Sequence, residues 1–331
     1  EFRRVLFRSY YYYGSSVSNS LRFRSSASAY LSRTPSVAGN QQTFTFSAWL
    51  KRGSLGGSGA GILYAGAFSS SNDETGIQFR GDDTLQIFQN SGSSTVLNKI
   101  TSQVFRDPSA WYHLVVAFDT TNATAEDRVC VYVNGSRVTS FSSNTNIPQN
   151  TNTYYNSASY GNRIFRDWTT DYLDGYLSEV NFIDGQALTP SSFGVIAPAT
   201  GVWSPKRYSG TYGTNGFYLP FSNGTSTTTL GYDSSGNGNN WTTNNISLTA
   251  GSTYDWMLDS PTAYAGSSYG VGNYAVLNPL NTPISGSISN ANLLFSLAAY
   301  PGVGRAVGVA STFAMTSGKW YFELKIGRAH V

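Results

Sequence analysis

Side chains able to act as nucleophiles or zinc ligands are scarce in this chain of 331 residues. It contains one cysteine, Cys130, and two histidines, of which only His113 lies away from the chain ends. His113 falls within an alternating run, WYHLVVAFD, with no serine or aspartate near it at the spacing of a catalytic motif. We therefore expect a structural role for His113. One cysteine and one histidine are too few for a zinc site, and a single cysteine forms no intrachain disulfide.

Paired carboxylates would mark a glycoside hydrolase, which is the main catalytic alternative. Such enzymes hold two acids about 5 to 9 Å apart, which on a strand requires acids two or four residues apart that face one cleft. The E-x-D-x-x-E pattern of sandwich glucanases is absent. The nearest approximations fall in predicted turns, where acids serve local hydrogen bonding: Asp82 with Asp83, Glu126 with Asp127, and Asp171 with Asp174. We therefore predict that the chain is not an enzyme.

Calcium is the one metal that the predicted loops could hold, because it needs only oxygen ligands. Three loop acids are candidates: Asp73, Asp119 and Asp167. No other cofactor is indicated, and the sequence does not require calcium.

The strongest candidate binding residues lie in RIFRDWTTDY, a loop from Arg163 to Tyr172. It lacks the alternation of a strand and combines aromatic rings, which can stack on a sugar, with planar hydrogen-bonding groups. Aromatic side chains in a loop must be covered or bind something. We predict that Arg166, Trp168 and Tyr172 bind ligand. In the alternative interpretation, Trp168 only caps the core.

Both chain ends can be written as one stretch of DNA read in opposite directions. Codons chosen for RRVLFRS, Arg3 to Ser9, have a reverse complement that encodes IGRAHV, Ile326 to Val331. This pattern is typical of sequencing-adapter read-through, so we expect residues 1–9 and 326–331 to be scars and exclude them from fold reasoning. The scars carry four arginines and one glutamate, which together account for the whole formal net charge of +3.

The remaining chain is neutral, and its composition excludes several partner classes. A nucleic-acid or anionic-membrane surface would need clustered Lys and Arg. No apolar run approaches the ~20 residues of a membrane span. Charged residues make up only 12% and aromatic residues 15%. We therefore expect no nucleic acid partner and no membrane insertion, and many short strands with polar outer faces.

Period-two alternation predicts the strands. TFTFSAWLKR places Phe44 and Phe46 on one face, and RVCVYVNGSRVTSF does the same with Val129 and Val131. Within the second run, Asn134-Gly135 predicts a two-residue type I′ hairpin, because both positions need positive φ. No stretch of ten or more residues has helical periodicity. Short strands at roughly ten-residue spacing predict an all-β antiparallel sandwich over residues 16–194.

The pattern loosens beyond this sandwich. Residues 195–290 are rich in Gly, Ser, Thr and Asn, with isolated short apolar runs such as FYLPF. This composition predicts a connector or an accessory β region. Residues 291–325 return to strand patterning in ANLLFSLAAY and TFAMTSGKWYFELK. That segment is too short for a complete sandwich, so we expect a truncated domain there.

Four blocks occur in a characteristic order and spacing: FTFSAWLKR, WYHLVVAFD, VYVNG and LDGYLSEVNFIDGQALTPSSFG. They resemble the laminin-G-like, concanavalin A-like jelly roll found in tail and other structural proteins of marine phages. GVWSPKRYSGTYGTNGFYLPFSN resembles the segment that follows such a domain, and SGKWYFELK resembles the first strand of a SPRY domain. The resemblance covers most of Ser20 to Lys325. Its motifs specify strands and turns more than a ligand, and a fold does not by itself transfer function.

The resemblance implies a recognition or adhesion module of a phage tail or virion, located in the virion or outside the cell. Expected partners are a host-surface glycan or protein and other virion structural proteins, with homo-oligomerisation as a further option. Two alternatives stay open. One is a secreted polysaccharide hydrolase or its carbohydrate-binding appendage, and the other is a purely structural spacer.

Overall fold

Alternating apolar residues produce strands throughout the chain, and the strands pair into two large antiparallel sheets. The computed structural model describes residues 17–57, 60–67, 73–167, 171–198, 200–262, 272–282, 286–297, 308–314 and 316–317. Both predicted end scars and most of the SPRY-like stretch, residues 318–325, lie outside the described residues.

Thirteen strands precede residue 194. They are β1 (Ser20–Phe23), β2 (Tyr30–Arg33), β3 (Thr43–Arg52), β4 (Ala60–Gly66), β5 (Asp73–Phe79), β6 (Thr84–Ser91), β7 (Ser94–Val104), β8 (Tyr112–Asp119), β9 (Val129–Val133), β10 (Ser136–Arg137), β11 (Phe141–Thr145), β12 (Gly161–Ile164) and β13 (Gly175–Asp184).

Shorter strands follow. They are β14 (Gly194–Ile196), β15 (Trp203–Pro205), β16 (Phe217–Leu219), β17 (Thr242–Asn244), β18 (Trp256–Met257), β19 (Gly286–Ser289) and β20 (Leu294–Leu297). A single α-helical turn, α1, spans Thr227–Leu230, and 3-10 turns span Ser25–Ala27, Ala125–Asp127, Pro190–Ser192 and Pro279–Asn281.

Sixteen of these strands assemble into two eight-stranded sheets, here named sheet A and sheet B, while β14 pairs with β15 and β19 with β20. Sheet A has the order β10-β9-β8-β3-β13-β1-β18, with β16 also paired to β13, and sheet B has the order β11-β7-β6-β5-β4-β12-β2-β17. The prediction of an all-β antiparallel sandwich is confirmed. The segment predicted as a connector or accessory region contributes β16 and β18 to sheet A and β17 to sheet B.

The core lies between the two sheets, as the alternation requires. Phe44, Phe46, Val129 and Val131 are each 2% exposed or less. The hairpin after β9 has φ of 48° at Asn134 and 84° at Gly135, as predicted for a type I′ turn.

The outer face of sheet A differs from the polar, solvated face that the composition led us to expect. Trp49 and Lys51 of β3, which point away from the core, are buried. Residues from the C-terminal part of the chain cover this face, with Trp203, Met257 and Ala291 packed against Trp49, Trp111 and Tyr176. A second apolar cluster joins Val115, Ile183, Phe193 and Tyr208.

His113 is part of this covered face. It is fully buried, stacks on Trp49 at 4.8 Å and hydrogen-bonds Ser47 Oγ and Trp203 Nε1, each at 3.0 Å. Burial lowers its pKa to about 3, so the ring stays neutral at ordinary pH. Its contacts are those of an interior packing residue. No described helix has the length and apolar character needed to cross a membrane.

Candidate functional site

The two outer faces of the sandwich differ in accessibility, and this difference locates the candidate site. The outer face of sheet A lies under the C-terminal half of the chain. Sheet B buries Tyr64, Glu74 and Phe88 on its outer face but keeps half-exposed polar side chains elsewhere on it, with the loop after β12 beside them. The side chains of sheet B that a ligand can contact are therefore the half-exposed ones beside this loop and along β5, β6, β7 and β11.

In the loop after β12, an arginine lies against two tyrosine rings that also contact each other. The guanidinium carbon of Arg166 lies 4.8 Å from the ring centroid of Tyr30 and 5.2 Å from that of Tyr172. The two ring centroids are 5.9 Å apart, and Arg166 and Tyr172 also form an antiparallel backbone bridge. All three side chains are half-exposed. We call Tyr30, Arg166 and Tyr172 the arginine–tyrosine cluster.

The structure thus brings together two of the three predicted ligand-binding residues. Trp168, the third, lies outside the described residues. Tyr30 did not enter the sequence prediction, although a signal was present. It alternates with Leu31, which is buried in the core, so the period of β2 already directs Tyr30 outward.

Local contacts hold the described residues of this loop, on either side of positions 168–170. Arg163 Nη1 donates to the Asp167 carbonyl at 3.1 Å, and Asp167 Oδ1 accepts the Asp171 N–H at 3.1 Å. Phe165 adopts φ of 62° and buries its ring 4.6 Å from that of Phe23. The loop also passes so close to Gly61 that a Cβ there would lie 3.0 Å from the Arg166 backbone.

The charges of the segment from Arg163, the third residue of β12, to Tyr172 balance. Arg163 and Arg166 contribute two positive charges, and Asp167 and Asp171 contribute two negative ones. Burial and the neighbouring Arg166 both lower the pKa of Arg163, yet an arginine remains protonated in proteins. This segment therefore carries no net charge.

The three candidate calcium ligands lie apart from one another. Asp73 is the first residue of β5 and lies beside Gly66, at one end of β4. Asp167 lies beside Gly61, at the other end of β4. Asp119 ends β8 in sheet A.

Each of these acids has local partners. Asp73 accepts from Tyr154 Oη at 2.7 Å and from the Gly92 N–H at 3.1 Å, which lower its pKa. Asp119 accepts from Thr121, and Asp167 from Asp171. Among the described residues, no three His, Cys, Asp or Glu side chains are grouped to hold a metal ion.

The turn acids considered for hydrolysis also have structural partners. Asp83 lies 3.0 Å from Arg52 and 2.8 Å from Arg106. Burial opposes its ionisation, but hydrogen bonds from Gly56 and these arginines hold its pKa below the usual value. Asp174 is buried, which raises its pKa, and it accepts the N–H of Ser25 at 3.0 Å and that of Ala291 at 2.7 Å.

A row of uncharged side chains crosses the outer face of sheet B. Gln78 Nε2 donates to Gln86 Oε1 at 2.7 Å, Gln86 Nε2 to Asn98 Oδ1 at 2.7 Å, and Asn98 Nδ2 to Ser143 Oγ at 3.1 Å. The four residues stand on β5, β6, β7 and β11 and are half-exposed. We call them the amide ladder. The alternation of TGIQFR and TLQIFQN points these glutamines outward, but the sequence does not show that they align.

A laminin-G family model described as the concanavalin A-like lectin/glucanases superfamily matches residues 24–192, about half of the chain. The chain belongs to this superfamily. The match begins just after β1 and ends at the 3-10 turn before β14, so it contains the loop after β12, Tyr30 and the amide ladder. This membership confirms the resemblance at the level of the fold, while the phage origin and the SPRY-like start remain predictions.

Several solved structures are similar to this superfamily member. A heptameric SAP-like pentraxin from Limulus polyphemus shows 18% identity and a TM-score of 0.36, covering 54% of this chain and 76% of the pentraxin. Domain 4 of an arabinanase from Geobacillus stearothermophilus, in complex with arabinotriose, shows 20% identity and a TM-score of 0.35, covering 48% and 68%. A candidate carbohydrate-binding protein from Bacteroides ovatus shows 18% identity and a TM-score of 0.42, covering 70% and 59%. Scores this low carry no information on function. No curated protein matches the chain.

Proposed function

We propose that this chain is a non-enzymatic recognition module of a phage tail or other virion structural protein, and that it binds a host-surface glycan through the arginine–tyrosine cluster. The observation that carries the proposal is the half-exposed Arg166, whose guanidinium lies against the rings of both Tyr30 and Tyr172. Membership of a superfamily that contains lectins supports a glycan as the ligand.

The chemistry of the cluster suits a sugar. Tyrosine rings offer apolar faces to the C–H face of a pyranose, while the tyrosine hydroxyls and the guanidinium edge can hydrogen-bond its hydroxyl groups. The cation–π contacts hold the guanidinium plane in place before any ligand arrives. A few fixed polar groups beside an apolar surface are the usual composition of a ligand site.

A binding role also agrees with the carboxylates. Acids near the strand ends are bonded to arginines or backbone N–H groups, as at Asp83 and Asp174. A hydrolase needs one acid to carry a proton and a second to stay ionised beside it. We therefore expect no release of reducing sugar from polysaccharides incubated with the protein, and such release would favour the hydrolase alternative.

The cluster is tested with Tyr172→Ala and Arg166→Ala on a glycan array and by calorimetry with the glycan found. By analogy with aromatic platforms for other planar ligands, each variant should lose about 1 to 3 kcal/mol of binding free energy. Tyr232→Ala is the matched control, because Tyr232 is 47% exposed and lies outside the cluster. Equal binding by all variants would refute the assignment of the site. A wild-type protein that binds no glycan would favour the spacer alternative.

The virion assignment has its own test. The genes that flank the coding sequence on an unbroken contig should encode capsid, portal or baseplate proteins. A polysaccharide utilisation operon in that position would contradict the assignment.

A further inference from the structure

We propose that the amide ladder is a second contact surface for the same ligand, and that this ligand is a linear, uncharged polysaccharide. The inference rests on the proposed glycan function and extends it. It adds a surface outside the loop after β12 and names the class of glycan.

The ladder leaves hydrogen-bonding capacity directed away from the core. A carboxamide has two N–H donors and an oxygen with two lone pairs. Gln86 and Asn98 each use one N–H to donate along the ladder and one lone pair to accept from it. Each of them keeps one donor and one acceptor, and both side chains are half-exposed. Sugar hydroxyl groups, which donate and accept, match this alternation.

The ladder is also rigid and long enough for a chain molecule. Each amide is oriented by its neighbour, so binding costs little side-chain entropy. Neighbouring strands lie about 4.8 Å apart, so the three steps from β5 to β11 span about 14 Å. That length suits several linked sugars better than one.

The ladder shares its face with the arginine–tyrosine cluster. Arg163 of β12 pairs with Tyr64 of β4, and Tyr64 pairs with Gly76 of β5. Gln78 stands two residues after Gly76 and so points to the same side. The cluster and the ladder therefore lie on the same side of sheet B, and a bound chain that reaches both must pass over the buried Tyr64 between them.

Charge decides between classes of polysaccharide. The ladder contains three amides and one hydroxyl, and the two arginines of the segment from Arg163 to Tyr172 are balanced by its two aspartates. An anionic polysaccharide would find no excess of cations here to compensate its desolvation. An uncharged one loses no comparable hydration.

In the alternative interpretation, the ladder only strengthens the pairing of the strands. Gln86→Ala in the full chain distinguishes the two roles, because it removes the side chain that bonds both Gln78 and Asn98. Affinity electrophoresis would use dextran, galactomannan and arabinan as neutral probes, and alginate and polygalacturonate as acidic ones. Calorimetry would then follow oligosaccharides of increasing length from the retained polysaccharide. Gln149→Ala is the control, because Gln149 is exposed and bonds the Thr121 carbonyl, outside the ladder.

We expect retardation by a neutral polysaccharide and none by the acidic ones. Affinity should rise with oligosaccharide length, and Gln86→Ala should lower it about tenfold for long chains, since two hydrogen bonds are lost. It should leave disaccharide binding unchanged, whereas Tyr172→Ala should weaken binding at every length. If Gln86→Ala fails to fold, Gln78→Ala at the end of the ladder replaces it.

Three results would overturn the inference. Gln86→Ala could bind long chains as the wild type does while Tyr172→Ala does not, which would leave the proposed function intact. Affinity could be independent of length, which would confine the site to the cluster. The acidic polysaccharides could bind better than the neutral ones. Absence of wild-type binding to any polysaccharide or array glycan would instead refute the proposed function itself.

Discussion

Glu179 is the buried carboxylate with the clearest link to pH. It occupies a β-bulge in β13, between Ser178 and Asn181, with φ of 50°. Tyr218 Oη lies 2.8 Å from both of its carboxylate oxygens. Arg207 and Tyr212 are the other ionisable groups that act on this site. Burial raises the pKa of Glu179 from 4.5 to about 7, with the Tyr218 hydrogen bond and Arg207 opposing the shift.

This shift makes a signed prediction for stability. The folded state holds the Glu179 proton more tightly than the unfolded state, so the stabilisation is complete below pH 4.5 and is lost as pH rises through about 7. Glutamine does not ionise, so Glu179→Gln should remove this pH dependence of the unfolding free energy, which is on the order of 3 kcal/mol. Urea denaturation at pH 5 and pH 8 checks it through the difference between wild type and variant. Parallel pH profiles for the two proteins would show that Glu179 does not titrate in this range.

The arginine–tyrosine cluster shows what a sequence reveals of a site at the level of single residues. Arg166 and Tyr172 stand out because aromatic and planar groups are concentrated in one loop. Tyr30 is 136 residues before Arg166, and only the pairing of β2 with β12 brings them together. The amide ladder depends in the same way on the register of four strands, which includes bulges in β6 and β11.

At the scale of elements, alternation identifies the long strands and misses the short ones. β3, β8 and β9 each show a run of outward and inward residues, so their core faces are readable. β16 and β18, with three and two residues, carry no usable period. They become strands because β13 and β1 offer open edges for pairing, and those edges are determined by the tertiary fold.

The Asn134-Gly135 hairpin gives an element-scale prediction. Gly135 has φ of 84°, and a Cβ there would lie 2.9 Å from the Trp203 ring. Gly135→Ala therefore adds backbone strain and a clash with Trp203, which packs on the outer face of sheet A. We expect a loss of about 1 to 3 kcal/mol of unfolding free energy, measured by denaturant titration.

Gly92 supplies the matched control for that substitution. It also has positive φ, 54°, but a Cβ there would meet nothing within 4 Å. Gly92→Ala should therefore cost only the conformational term, about 1 kcal/mol. If both variants lost the same stability, Trp203 would have to accommodate the methyl group, and the cover over sheet A would be more adaptable than its packing indicates.

At the scale of the whole molecule, buried charges join sheet A to the chain that follows the superfamily unit. Arg22 of β1 and Arg24 both contact Asp255, at 3.1 and 2.8 Å, and Lys51 of β3 contacts Asp259 at 2.8 Å. Charged residues on the outer face of sheet A can therefore be buried, because aspartates from the C-terminal part of the chain form ion pairs with them. This explains why alternation alone led to a solvated outer face, since the sequence does not show which distant acids meet which bases.

Asp255 makes this coupling testable. Its side chain has no exposed surface and neutralises two arginines, so Asp255→Asn leaves buried positive charge without compensation. We expect a loss of about 3 to 5 kcal/mol of unfolding free energy, seen by calorimetry or denaturant titration. Asp127→Asn is the control, because the Asp127–Arg137 pair is 40% exposed on both sides, and exposed pairs contribute about 0 to 1 kcal/mol. A small loss at Asp255 would mean that water reaches the arginines and that the C-terminal half is only loosely held on sheet A.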